Sequence, residues 1–570
     1  MARRAQDDDD QAQGRPPLEP STLSLSKPSF LALPDIVHAS IAAFLPDGNQ
    51  SNGSRLRVSE ASSALRDTYG GSLTRMFVSH VENSSAARLA ALLRRNTKLA
   101  EVIVEEHESL PAMCQAIVQG CCRRINKLTF DGRSDVLTEE RVSLLTGAFE
   151  LDGALAGAGL RTLIVDLHLM NDDLSRLAGT LAGGTAPLLQ HLSLSMYDII
   201  ESDLIAIADM LEARAQIPGC MRLECFEAED RFDHGSIATR VRLLRVLLPS
   251  VKELPPFTWE SDFRACFCEV RAPYLMALTL WVGGEEDGGA AFSSWDVFES
   301  TPALARMEFV SGEEIAHHGR AAVQTLTAAL RHGALQNLKS VSLDCGVHDE
   351  DVFNFMNALE SSGCAKLMEV LIFNQSVLGG TGLTALLSLL YRDFFPALKE
   401  LCLRIDSFNM DTGVAFDMDR IVAFVVQGLL NATHTNLRRL DLMYMGLGDQ
   451  GLSFVAHLIH QGRLKQLKYL NLCVNGAVTD QGVIWLARVI DAGGLPMLET
   501  FCLRGVESIA ADKATIIGMS AIAHATIKGC PQLNDLKILG YGPENENFIN
   551  LVKGMLRAEG RGAKVKVFIR

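Results

Sequence analysis

The chain has no apolar run long enough to cross a bilayer. Its longest, such as Ile421–Val426 and Ala385–Leu390, fall far short of the roughly 20 residues that a spanning helix needs. The opening Met1-Ala-Arg-Arg, followed by Asp7–Asp10, lacks the apolar core of a secretory signal. Positive charge is also short: 53 Lys and Arg against 68 Asp and Glu give −15. Because basic side chains supply most nucleic-acid affinity, that balance argues against a broad phosphate-binding surface. The 13 cysteines are an odd number without a framework, in a chain too long to need staples. Reduced thiols and a cytoplasmic or nuclear setting are expected.

Motifs for chemistry are equally scarce. There is no glycine loop ending in Gly-Lys-Ser/Thr, no His-Glu-x-x-His and no Gly-x-Ser-x-Gly, which removes the commonest signatures of nucleotide switching, zinc hydrolysis and serine nucleophiles. Cys266-x-Cys268 and Cys121-Cys122 have no second Cys/His pair at zinc spacing and read as buried thiols. His317-His318 reads as a solvated pair. No catalytic residue, cofactor or metal is expected.

What is present is periodicity. Leu437-Arg-Arg-Leu-Asp-Leu, Leu467-Lys-Tyr-Leu-Asn-Leu and Leu498-Glu-Thr-Phe-Cys-Leu share the template apolar-x-x-apolar-x-apolar. Fourteen in-phase copies begin at 99, 125, 160, 189, 220, 275, 304, 338, 367, 398, 437, 467, 498 and 533. A second pattern is locked to the first. Apolar residues at i, i+3, i+4 and i+7, the face of a helix, occur at Val483/Leu486/Ala487/Ile490 and Leu452/Val455/Ala456/Ile459, and each set starts 15 residues before the next strand template. Each repeat is therefore a short strand, a turn and an amphipathic helix, too small to bury its apolar face without stacking. Several helices open with an acidic residue or glycine, as in Asp480-Gln-Gly482 and Asp449-Gln-Gly451, and acidic first turns suit the helix dipole.

These repeats resemble leucine-rich repeats of the ribonuclease-inhibitor-like type, with the asparagine after the strand kept at Asn475 and replaced by Met445 one repeat earlier. The resemblance covers roughly 77–570. It implies an α/β solenoid, a horseshoe with a parallel inner sheet and outer helices, closed by Lys564–Ile569. The stretch 226–272 breaks the rhythm: Val251-Lys-Glu-Leu254 fits a degraded template, but Pro249, Pro255 and Pro256 oppose a regular strand. One irregular repeat and a surface insertion both fit. Gly283–Gly289 reads as a loop.

Residues 1–28, with an Asp run and four prolines, are expected to be disordered. Residues 29–76 form a helical module in which Leu33-Pro34-Asp35, Ile41, Phe44-Leu45-Pro46 and Leu56-Arg-Val58 resemble an F-box. That family docks on the linker subunit of a cullin-type ubiquitin ligase, and the resemblance implies that Leu33, Pro34, Ile36, Ile41, Leu45, Pro46 and Val58 form or support the docking surface. A helical cap shielding the first repeat fits the same segment.

Because side chains alternate along a strand, template positions three, five and seven are expected on the concave face. They include Phe226, Trp281, Arg306, Glu308, Leu371, Phe373, Arg404, Arg439, Asp441, Tyr469, Asn471 and Arg504. Aromatic and arginine anchors favour a protein partner, with no role for nucleic acid or membrane. The expected function is a non-catalytic adaptor that captures a protein substrate and presents it to a ubiquitin ligase. A plain scaffold or inhibitor, or less favoured a small-GTPase activator, are the alternatives.

Overall fold

The computed structural model describes residues 75–568 except 79–85, 96–98, 106–108, 123, 137–138, 151–158, 169–170, 195–199, 229–235, 259–260, 283–294, 312–317, 377–379, 406–417, 432–435, 476, 504–515, 539–544 and 561–565. The expected disordered tail, the F-box-like positions Leu33, Pro34, Ile36, Ile41, Leu45, Pro46 and Val58, the loop Gly283–Gly289 and Arg504 all lie outside the described residues.

Strand and helix alternate along nearly the whole described chain. The strands are β1 (Arg75–Val78), β2 (Glu101–Glu105), β3 (Lys127–Val136), β4 (Thr162–His168), β5 (His191–Leu194) and β6 (Cys225–Ala228). After them come β7 (Phe257–Thr258), β8 (Ala277–Trp281), β9 (Arg306–Val310), β10 (Ser340–Asp344), β11 (Val370–Ser376) and β12 (Glu400–Ile405). The last are β13 (Arg439–Asp441), β14 (Tyr469–Asn471), β15 (Thr500–Leu503), β16 (Asp535–Ile538) and β17 (Lys566–Phe568). Among the described residues every pairing of these strands is parallel and between chain neighbours, giving sheets β1–β6 and β7–β17. This is a repeat solenoid of α/β type. Adjacent helices need about 8–10 Å and adjacent strands about 4.8 Å, so the array curves with the sheet on its inner side.

The template explains the layers. Leu440, Leu470 and Phe501 pair in register across β13, β14 and β15, and all three are buried. Positions one, four and six of the three repeats, Leu437/Leu440/Leu442, Leu467/Leu470/Leu472 and Leu498/Phe501/Leu503, point into one core shared with the helix faces. Each such side chain contributes about 1.5–3 kcal/mol on burial. The helix stripes Leu452/Val455/Ala456/Ile459 and Val483/Leu486/Ala487/Ile490 are buried on the other side of that core. The array starts one strand before the first template at 99: Met76 and Val78 of β1 are buried and Met76 pairs with Val102. β1 thus lies astride the division drawn at 76/77.

The segment 226–272 is an irregular repeat rather than an insertion. Val251, Leu254 and Phe257 occupy the core, and Glu253 bridges both Cys225 and Ala277, joining the two sheets through a single residue. Beyond the bridge the ladder slips. Phe257 pairs with Leu280, four residues after Glu253 on one strand but three after Ala277 on the other. The extra residue sits at Pro255-Pro256, which have no N–H to give to a ladder. Between β8 and β9 the described residues form a 3-10 turn, Trp295–Ser300, and Trp295 stacks on His332 at 3.9 Å between ring centroids.

The outer helices are bolted together at their N-termini. Asp449 Oδ1 accepts from the Thr479 N–H at 2.7 Å and its Oδ2 from the Thr479 hydroxyl at 2.5 Å. Asp349 accepts from the Gly382 N–H at 2.7 Å, and Asp480 from the Gly518 N–H at 2.9 Å. A Cβ at Gly482 would lie 2.5 Å from Asp449 Oδ1, so glycine at that position is what lets successive helices approach. No described helix is long and apolar enough to cross a membrane.

Candidate functional site on the inner sheet face

The inner face of the sheet is set by the register of the repeats. Two template positions shift, with consequences for the expected contact residues. Phe226 pairs with Leu192 and is fully buried, because the repeat starts at Leu223 and not at Cys220. Cys225 and Glu227 flank it and point away from the core, onto the inner sheet face. Phe373 and Leu371 pair with Leu403 and Leu401 and are fully buried as well. There the repeat starts at Met368, which is buried, while Leu367 is 41 % exposed. Ile372 and Asn374 take the outward places. Both errors have one cause: two apolar residues near the template start fit equally well, and only the demand that a phenyl ring fill the core decides.

The remaining described candidates do face the inner side. Arg306 on β9 is exposed and bonds Glu253, while its neighbour Glu308 accepts from the Thr279 hydroxyl at 3.2 Å. Trp281, at the end of β8 beside Val310, is half-buried. On β2 and β3, Lys127 pairs with Glu101 at 3.0 Å.

The densest group is C-terminal. Asp441, with no side-chain exposure, holds Arg404 at 2.8 Å and Arg439 at 3.7 Å and accepts the Met443 N–H at 3.2 Å. The Arg439 guanidinium sits over the Tyr469 ring at 4.1 Å, within cation–π range. Asn471 is buried and accepts the Cys473 N–H at 3.0 Å. Burial pulls the Arg404 pKa down, but the hydrogen bond and charge of Asp441 outweigh it and raise it. Burial, then Cys502 and Asp441, push the Tyr469 hydroxyl up. Cys402 is pushed up to about 12, mainly by burial, so its thiol stays protonated. Cys502 moves the other way, lowered first by a hydrogen bond with Cys473 against the effect of burial. The outcome is two part-exposed guanidiniums and a tyrosine locked around a buried carboxylate, a rigid donor platform suited to carbonyl and carboxylate groups.

A second group was not legible in local spacing. His191 on β5 lies opposite Cys225 on β6, and Ser193 opposite Glu227. The His191 Nε2 to Glu227 Oε1 distance is 3.3 Å, and the Cys225 thiol lies 3.5 Å from the same oxygen. The Glu227 carboxyl is lowered to about 2, first by the His191 imidazole beside it. Cys225 is pushed up to about 12 by burial and then by the Glu227 and Glu253 charges. Thirty-four residues separate the histidine from the cysteine, and the misplaced register at 220 turned Cys225 and Glu227 toward the core. The correct strand phase would have found them.

Two hollows among the described residues are grooves on the outer helices, about 700 Å³ beside Ser143, Arg176 and Thr180 and about 530 Å³ beside Glu212 and Arg245. Neither lies on the inner face. No protein-family model matches the chain, and no curated protein matches it.

Proposed function

We propose that this chain is a non-catalytic, protein-binding adaptor built on leucine-rich repeats, with its inner sheet face as the capture surface. The observation that carries the reading is the Arg404–Asp441–Arg439–Tyr469 platform on an open strand ladder that also presents Trp281 and Arg306. Arginine and aromatic side chains fixed in place before a partner arrives lose little freedom on binding. A long ladder suits an extended protein surface better than a metabolite, which prefers an enclosed cavity.

The F-box-like sequence at 29–76 supplies the second half of the proposal: it docks on the linker subunit of a cullin-type ubiquitin ligase. The mechanism is then positional. Holding a substrate beside a ligase raises its effective concentration and asks no chemistry of this chain. Pull-down with purified linker subunit tests it: the wild type is retained, and Ile41→Asp/Leu45→Asp is not. A wild type that retains no linker subunit removes the ligase half and leaves a plain scaffold, with the segment before β1 as a cap.

A further inference from the structure

Where the two sheets meet, three donor side chains converge on the inner face. His191 Nε2, Cys225 Sγ and a Glu227 carboxylate oxygen all lie within 4.8 Å of one another. They stand on adjacent parallel strands in matched register, so ladder hydrogen bonds fix the backbone under all three.

The spacings carry chemical information. Zinc bonds to nitrogen, oxygen and sulfur run about 2.0–2.3 Å. At a tetrahedral angle these lengths put a nitrogen and an oxygen ligand roughly 3.3 Å apart, and a sulfur and an oxygen ligand roughly 3.5 Å apart. The distances from Glu227 Oε1 to His191 Nε2 and to Cys225 Sγ are 3.3 and 3.5 Å. The two contacts, an imidazole–carboxylate pair and a thiol hydrogen bond without metal, thus have the lengths of two edges of a coordination polyhedron, both meeting at the carboxylate oxygen. The donor set of imidazole, thiolate and carboxylate suits zinc better than calcium or magnesium, which prefer all-oxygen shells.

The surroundings agree with a cation. The basic residues of the next repeats are engaged elsewhere, Lys252 by Glu224 and Arg306 by Glu253. The Glu227 side chain is 50 % exposed, so the cluster opens toward solvent. Three protein ligands with one position open is the arrangement of a reactive or shared zinc site, whereas purely structural sites close the fourth position with protein.

We propose that His191, Cys225 and Glu227 form a zinc-binding site on the inner face, with its fourth position left for water or for a donor from a bound protein. The inference stands whether or not 29–76 docks on a ligase.

Cobalt(II) is the probe. The purified full chain, stripped with chelator and titrated with cobalt(II), is expected to bind it with visible d–d bands and a near-ultraviolet thiolate-to-metal charge-transfer band, both abolished by added zinc. Cys225→Ser is expected to remove the charge-transfer band while Cys502→Ser keeps it. His191→Ala and Glu227→Gln are expected to weaken zinc at least about tenfold, since even outer-shell changes cost 10–100-fold. Circular dichroism and thermal melts of the stripped variants separate ligand loss from misfolding, and Glu227→Gln, a near-isosteric change at a part-exposed side chain, is the variant least exposed to that confusion. A wild type without a thiolate band, a band that survives in Cys225→Ser, or unchanged zinc affinity in a folded Glu227→Gln overturns the proposal.

Discussion

Asp441 concentrates the risk that one side chain can carry. Its carboxylate is withdrawn from water and held by Arg404, Arg439 and the Met443 N–H. Removing it takes away the charge-assisted hydrogen bond to Arg404 and the acceptor of the Met443 N–H, and leaves two part-exposed guanidiniums that still reach water, at about 2–3 kcal/mol. Asp441→Ala is therefore expected to lower unfolding free energy by about 2–3 kcal/mol in a denaturant titration, and to loosen the Arg439–Tyr469 stack. Glu227 sets a pH-dependent contribution instead. Its pKa falls from about 4.3 in an unfolded chain to about 2 in the fold, so its contribution is complete above about pH 4.3 and is lost as pH falls toward 2. In chelator-containing buffer, Glu227→Gln is expected to show a shallower loss of stability than the wild type over that window. Parallel slopes would contradict it. At this scale the sequence was readable where the template letters were unambiguous, as at Arg439, Asp441 and Tyr469. It misled at Phe226 and Phe373, where a one- or three-residue choice of phase decides which face a side chain takes.

At the scale of the element, the Asp-x-Gly openings of the helices do more than suit a dipole. The aspartate of one helix accepts from the start of the next, and the glycine makes room for it. Asparagine does similar work inside the turn. The Asn475 amide donates to the Leu442 and Leu472 carbonyls at 3.0 and 2.9 Å and accepts the Leu447 N–H at 3.1 Å. Buried Met445 stands at the same place one repeat earlier and brings apolar bulk where Asn475 brings hydrogen bonds. Glycine gives the sharper test. Gly482→Ala drives a methyl into Asp449 and is expected to cost about 1–3 kcal/mol, the usual range for overpacking. Gly147→Ala, in the helix Glu139–Glu150 with nothing within 4 Å of the added carbon, is expected to stabilise by about 0.4–1 kcal/mol. Thermal melts of the two variants should move in opposite directions. The acidic starts were visible in the sequence, but their partners, about 30 residues away, were not, because inter-helix contacts leave no local period.

At the scale of the whole molecule, two parallel ladders, β1–β6 and β7–β17, are joined through the bridge at Glu253. Fourteen phased templates made the architecture legible because each repeat must bury the same face against its neighbours, so the period is a physical necessity of stacking. The repeat around Val251 was obscure because its prolines reduce the strand to a bridge at Glu253 and a two-residue remnant at Phe257–Thr258. The strands on the N-terminal side, including the two that carry the proposed zinc ligands, join the C-terminal strands across that bridge. Continuity there is what makes one inner face out of two sheets. Adjacent parallel strands place paired Cα atoms roughly 4.8 Å apart, inside the span a disulfide accepts. The most direct test is therefore Glu253→Cys under mild oxidation, read by peptide mapping. A cross-link from the introduced thiol to Cys225 in a folded chain is expected, and an introduced thiol that stays unlinked, or pairs with a cysteine of a distant repeat, would refute the continuity of the two sheets.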